Sequence, residues 1–159
     1  MNIALDDRAA NRFWAKVDKT ESCWNWTAGT SSRGYGKFNT GGTHGYAHRI
    51  AYTLCKGPIA DGMVIDHKCH NIICVNPDHL QAVTLKQNSE NRAGPMKNSK
   101  TGVRGVRKFR GRYRAQVAID GKATHLGTFD TIAEAEQAAI AARMEHYTNN
   151  LTDMIPAAG

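Results

Sequence analysis

Between Asp66 and Asn88 the chain sets thiols, imidazoles, a carboxylate and amides at intervals short enough to converge: Asp66, His67, Cys69, Cys74, His79 and Asn88. Four residues separate Cys69 from Cys74, and four more separate Cys74 from His79. Cys23, brought back from an earlier strand, is the natural fourth member. Three thiolates and an imidazole form a closed tetrahedral zinc set, which is a structural arrangement. Such a site contributes on the order of 10–16 kcal/mol of apparent folding free energy in small domains. Cys55 reads differently, because it lies on the apolar face of a helical pattern where a free cysteine acts as a small hydrophobe.

His67 sits just before the thiols, at a predicted strand end. A neutral imidazole with an ordinary pKa of ~6.5 can deprotonate an attacking water at neutral pH. Asp66 and Asn88 offer hard oxygen atoms, which suit Mg²⁺ better than zinc. One carboxylate and one amide hold such an ion weakly and leave part of its shell to phosphate oxygens. Taken singly, each residue has a plainer reading: a lone histidine is usually structural, and Asn88 could cap a helix. The argument for chemistry is their common spacing around the thiols.

The elements that must position these residues are short. Asp6-Asp7 followed by Arg8 to Val17 predicts a helix, with Phe13, Trp14 and Val17 on one face. Cys23 to Thr27 alternates and ends at Gly29, a strand pattern. Arg33 to Phe38 and Tyr46 to His48 flank Gly41-Gly42 and predict a hairpin. Ile50, Ala51, Leu54 and Cys55 have helical spacing over Arg49 to Lys56, stopped by Gly57-Pro58. Val64-Ile65 predicts a strand that delivers Asp66 and His67 to its end. A helix is expected from Val83 through Asn88 to Arg92.

Composition bounds the class. With 159 residues the chain holds one modest domain or two small ones, near the size where a core alone is marginal. The net charge is +7 and the pI about 9.4, which favours a polyanionic partner. The charge is uneven: nine of the 21 Lys/Arg fall within residues 92–114, a span with no Asp or Glu. Met1 to Arg12 lacks the apolar core of a secretion signal, and no apolar run approaches membrane-spanning length. The expectation is therefore an intracellular protein, neither secreted nor membrane-bound, whose cysteines serve a metal rather than disulfides.

Arg92 to Lys100 has linker composition, and beyond it the pattern changes. Tyr113, Ala115, Val117 and Ile119 alternate with Arg112, Arg114 and Gln116, predicting a strand with one apolar and one basic-polar face. Asp120-Gly121 predicts a hairpin turn into a second strand from Ala123 to Thr128. Thr131 and Glu134 form a capping-box pattern opening a helix to about Tyr147, with Ala135, Ala138, Ala139 and Ala142 inward.

The string His67-x-Cys69-x4-Cys74-x4-His79-x8-Asn88 resembles the His-Cys-box homing endonucleases, within the wider HNH or ββα-metal nuclease group. Residues 10–92 resemble small phage-encoded HNH proteins, which would place the protein in the host cytoplasm. The resemblance implies His67 as general base, Asn88 as Mg²⁺ ligand, and Cys23, Cys69, Cys74 and His79 on structural zinc. Asp66-His67 is similar to the Asp-His pair that gives both ligand and base in HNH homing enzymes. An arginine on the scissile phosphate is usual in the His-Cys-box group. Arg49 is the candidate here, with His48 as the alternative.

Further along, Thr101 to Arg107, Gly111 to Val117 and Leu126 to Ala135 resemble the plant ethylene-response-factor DNA-binding domain. His125 stands where that family has a tryptophan before Leu-Gly. The resemblance implies a three-stranded antiparallel sheet on one helix, with the sheet in the major groove. By position Arg104, Arg107, Arg110, Arg112, Arg114 and Gln116 are the expected contacts, arginine suiting guanine edges or phosphates and glutamine suiting adenine.

The whole reads as an α+β protein. A zinc-stabilised ββα-metal nuclease domain over residues 1–93 precedes a linker at 94–100, a DNA-binding module at 101–150 and a tail at 151–159. The expected activity is hydrolysis of double-stranded DNA by His-activated water with Zn²⁺ structural and Mg²⁺ catalytic, in a homing role. Cutting both strands with one site per chain would favour a homodimer. The alternative is a zinc-braced DNA-binding regulator without nuclease activity.

Overall fold

The computed structural model describes residues 5–39 and 44–154. The chain divides into two compact units at Asn88/Ser89.

The first unit opens with α1 (Asp7–Trp14), whose first turn is closed by Asp6 Oδ1 accepting from the Ala9 N–H at 2.7 Å. The helix ends sooner than its apolar spacing predicts. Val17 is not its last residue but the first of β1 (Val17–Lys19), which pairs antiparallel with β2 (Trp24–Trp26), Val17 opposite Trp26. β3 (Lys37–Asn39) pairs with β4 (His44–Tyr46). The turn expected at Gly41-Gly42 lies outside the described residues. α2 (Ala47–Lys56) starts before Arg49, so Ala47 and His48 are helical rather than strand residues, and it stops at Gly57 with φ of 96°.

β5 (Val64–His67) and β6 (Leu80–Val83) form an antiparallel pair with His67 opposite Leu80, and α3 (Leu85–Glu90) follows. Val83, expected to begin the helix, is the last residue of β6 instead, and the helix runs only from Leu85 to Glu90. Val83 pairs with Val64, and the turn into α3 is closed by Gln87 Oε1 accepting from the Thr84 N–H. The core is aromatic. Phe13 is fully buried, its ring centroid 5.1 Å from Trp26 and 5.3 Å from Phe38. Ile50, Ala51, Ile65, Val75 and Leu80 complete it. Gly36 is where the chain passes closest: a Cβ there would stand 2.6 Å from the Trp26 indole.

The second unit contains a three-stranded antiparallel sheet in sequence order: β7 (Val106–Phe109), β8 (Arg112–Ile119) and β9 (Lys122–Phe129). Both connections are two-residue turns with left-handed backbone, Arg110-Gly111 and Asp120-Gly121. α4 (Ile132–His146) opens with the expected capping box, Thr131 and Glu134 exchanging side-chain and backbone hydrogen bonds. Its Ala135, Ala139 and Ala142 pack on Val106, Ala115 and Val117. A short α5 (Leu151–Met154) returns to α4, where Arg143 Nε and Nη2 grip the Asp153 carboxylate at 2.6 and 2.9 Å.

Residues 89–93, which the sequence pattern assigns to the first domain, group with this second unit. The Glu90 carboxylate explains it. That side chain is buried and accepts from the N–H groups of Thr148 and Asn149 and from the Thr148 hydroxyl.

Candidate metal centre and active site

The loop between β5 and β6 is closed at its base by the His67–Leu80 pairing and by the Lys68 N–H donating to His79 O at 2.8 Å. Cys69, Cys74 and His79 are all on this loop. Cys23 comes to it because the outer edge of β2 is stitched to the same loop. The Trp26 N–H donates to Ile73 O, the Val75 N–H donates to Trp24 O, and Asn25 bridges Cys74. Two amides reinforce the seam: Asn71 Nδ2 donates to Asn25 Oδ1, and Asn76 Nδ2 donates to Ser22 O, both at 2.8 Å. Neither asparagine was among the sequence-derived site residues, although Asn76-Pro77 is a recognisable turn signal.

The four ligand-type atoms of Cys23, Cys69, Cys74 and His79 lie within 4.8 Å of one another. His79 Nδ1 is 3.6 Å from both the Cys23 and the Cys74 sulfur. A tetrahedral ion with Zn–S of ~2.3 Å and Zn–N of ~2.0–2.1 Å sets sulfur and nitrogen ~3.6 Å apart. The donor set and its spacing therefore fit a tetrahedral metal ion. Burial, with the neighbouring Cys69 and Cys23 thiols adding to it, pushes the Cys74 thiol up to about 12 despite backbone N–H groups aimed at its sulfur. A cation is what would let three clustered thiols ionise.

His67 ends β5 and is 6% exposed. Its Nε2 lies 3.1 Å from the carbonyl oxygen of Cys74. A carbonyl only accepts, so Nε2 carries the proton and Nδ1 keeps a free lone pair. The loop that gathers the thiols thus also sets the tautomer of His67. Burial holds this imidazole below its ordinary pKa, although the Cys74 carbonyl and Asp66 pull the other way. At neutral pH the ring is uncharged.

Asp66 precedes it, 8% exposed, with Oδ2 accepting from Gln81 Nε2 at 3.0 Å across the β5–β6 pair. Asn88 stands on α3, exposed, its backbone N–H donating to Thr84 O. Asp66 and His67 are consecutive residues at the end of β5, and Asn88 is on α3, which follows β6.

Of the two residues offered for a phosphate contact, His48 is the one that meets His67: their ring centroids are 4.8 Å apart. Arg49, next on α2, is half-buried. Tyr35 and Tyr46 complete a ring cluster around His48, with centroids 5.4 and 5.8 Å away. His48 Nδ1 is buried and has no hydrogen-bond partner among the described residues. Burial, with the nearby His67 and Arg49, pushes the His48 imidazole down to about 3, so it too is neutral. Tyr35 carried no motif that would have marked it in the sequence.

In the second unit the open face of the sheet carries Arg107 directly opposite Arg114, and Gln116 opposite His125. The Arg114 guanidinium lies 3.5 Å over the Phe109 ring, and its Nε is buried with no hydrogen-bond partner among the described residues. Arg110 is at the tip of the first hairpin, and Arg112 pairs with Asp130 at 2.6 Å in an exposed ion pair. Arg104 departs from the expectation. Its guanidinium donates to the carbonyls of Arg92 and Glu90, both at 2.9 Å, and so is spent on the chain itself.

The model of the HNH endonuclease family matches residues 45–90, the stretch from β4 to the end of α3. That stretch of a mixed α/β chain is similar to HNH endonuclease domains. Protein 7.7 of Escherichia phage T7 is 41% identical over 70 residues, covering 44% of this chain and 54% of the relative. Protein 2.8 of the same phage is 37% identical over 73 residues, covering 44% and 48%. An uncharacterized gene 5.3 protein of Enterobacteria phage T3 is 38% identical over 60 residues, 38% of this chain and 54% of the relative. The chain spans about half the length of these relatives. No solved structure matches it. No helix among the described residues is long and apolar enough to cross a membrane.

Proposed function

We propose that this protein is a metal-dependent DNA endonuclease of the HNH type, with His67 as general base. The observation that carries the reading is the Cys74 carbonyl on His67 Nε2 at 3.1 Å, inside the segment that matches HNH endonucleases. His67 Nδ1 takes a proton from the attacking water, which adds to phosphorus in line with the departing 3′-oxygen. The products are a 3′-hydroxyl and a 5′-phosphate. Asp66 and Asn88 are the residues that would hold Mg²⁺. That ion, when bound, supplies charge stabilisation at the phosphate and the leaving oxygen. Zinc on Cys23, Cys69, Cys74 and His79 braces the loop that fixes His67. His48, whose ring meets that of His67, is the alternative to Arg49 for a contact with substrate.

The second unit is proposed to bind duplex DNA through the open face of its sheet. Like charges directly opposed on a sheet are destabilising, so the Arg107–Arg114 pair is better explained by an anionic partner. Arg110, Arg112 and Gln116 extend that face, while Arg104 is left to a structural role. A homing function is the reading suggested by a nuclease joined to such a module.

Duplex DNA, single-stranded DNA and RNA of one sequence, incubated with the protein and Mg²⁺, test the substrate class in one gel. Cleavage of duplex DNA with 5′-phosphate ends is expected. Cleavage of RNA alone would reassign the substrate, and DNA binding with no cleavage would favour the regulator.

A further inference from the structure

The first unit has a basic feature of its own, a cavity rather than a charged face. An open pocket of about 410 Å³ is lined by Arg12, Lys16, Ala28, Lys37, Phe38 and Asn39. Three of these six residues are cations, and no carboxylate is among the described lining residues. A hollow with one sign of charge and a low-dielectric wall focuses its field and concentrates a counter-ion.

The backbones that carry these cations are fixed. The Lys16 N–H donates to Phe13 O at 3.0 Å, and Lys16 O accepts from both the N–H and the hydroxyl of Thr27 at 2.9 Å. The Lys37 N–H donates to Gly29 O at 2.9 Å. The Arg12 guanidinium lies 5.1 Å over the Phe38 ring and uses Nη2 to hold Asn39 O at 2.8 Å, leaving donors to spare. The fold therefore sets three cations on the lining of one pocket, with the Arg12 head group already held in place.

The place of the pocket identifies its ligand. Lys37 is the direct cross-strand partner of Tyr46, so their side chains share one face of the β3–β4 ribbon. Tyr46 is 40% exposed and stacks on His48, which in turn meets His67. One ribbon face thus connects the pocket to the general base. We propose that the Arg12–Lys16–Lys37 pocket is a phosphate subsite that takes a backbone phosphate of the nucleic-acid strand, away from the bond that is cut. This rests on the endonuclease reading, and it means the nuclease unit grips substrate independently of the basic sheet.

The test uses the full chain. Binding of a duplex is measured against salt concentration in a His67→Ala background, and cleavage with His67 intact. Log affinity falls with log salt by about 0.9 for each phosphate neutralised on duplex DNA. Lys16→Gln/Lys37→Gln is expected to make the slope shallower by about 0.9, with KM raised and kcat kept. Lys16→Arg/Lys37→Arg should retain the parent slope, which separates charge from misfolding. Lys19→Gln removes a cation that sits over Trp14 and Trp24 and does not line the pocket. It should leave the slope alone.

An unchanged slope in the double glutamine variant, or an equal change in Lys19→Gln, overturns the subsite even if cleavage proceeds. A shallower slope in a protein that never cleaves keeps the subsite and removes the endonuclease. A free phosphate ligand would instead show as stabilisation by inorganic phosphate, lost in the glutamine variant with the DNA slope unchanged. That result overturns the backbone assignment.

Discussion

At the scale of single residues, two neutral imidazoles lie in contact where a charged pair would be expected to repel. His67 is neutral through burial and is turned by the Cys74 carbonyl so that one nitrogen is free. His48 is neutral for the same reason and keeps a nitrogen without a partner among the described residues. The Cys/His set behind them has a direct consequence. Cys74→Ser is expected to lose bound zinc and to lower the melting temperature of the first unit, read by metal analysis beside a thermal melt. Full zinc content in that variant would contradict the assignment. The sequence made these residues legible because ligand spacing is local: Cys69, Cys74 and His79 are close in the chain. It could not show Asn71, Asn76 and Gln81 at work, since amides that latch one segment to another carry no spacing rule.

At the scale of elements, the first unit is stitched from short strands, and its tolerance for added volume is small. Gly36→Ala would drive a methyl against the Trp26 indole and to 3.0 Å from Ala47 Cβ. Overpacking of that kind costs about 1–3 kcal/mol, and chemical denaturation should register it as a lower midpoint. In the second unit the Arg143–Asp153 pair is almost fully enclosed, the side chains 4% and 8% exposed. Arg143→Ala leaves a carboxylate buried without its partner, a loss of about 3–5 kcal/mol.

The same pair gives a pH dependence. Burial alone would raise the Asp153 carboxyl, but the hydrogen bonds and charge of Arg143 outweigh it and hold the group below the usual range. A lowered folded pKa adds stability above the unfolded value of ~3.9, and that share disappears as pH falls through the folded value. The second unit should therefore weaken below about pH 4. Asp153→Asn should be the flatter of the two across that window, and equal acid sensitivity would count against the pair.

The elements differ in how far local pattern could predict them. The β8 alternation and the Thr131–Glu134 box are complete within a few residues, so strand and helix follow from them directly. β1 and β6 are three- and four-residue strands whose existence depends on distant partners. Val17 has the spacing of a helical face, and nothing local reveals Trp26 opposite it. Arg104 looks like any other member of its basic run, because sequence does not say which guanidinium is spent on carbonyls. The Glu90 anchor and α5 lie beyond any periodicity: Glu90 is held by Thr148, 58 positions on, and α5 by the enclosed Arg143–Asp153 pair.

At the scale of the whole chain, charge should govern association. If ~6–10 phosphates are contacted, affinity for DNA should fall ~10³–10⁵-fold between 50 and 200 mM salt. Flat salt dependence in a binding titration would remove the electrostatic account of both basic features. Binding and cutting are separable, however, and cutting is what depends on His67. It is tested most directly by nicking of supercoiled plasmid in the presence of Mg²⁺, comparing the wild type with a His67→Ala variant shown to keep its zinc and its melting curve. The wild type should convert the plasmid to open circles and the variant should leave it supercoiled. Equal conversion by the two proteins would mean that His67 is not the base.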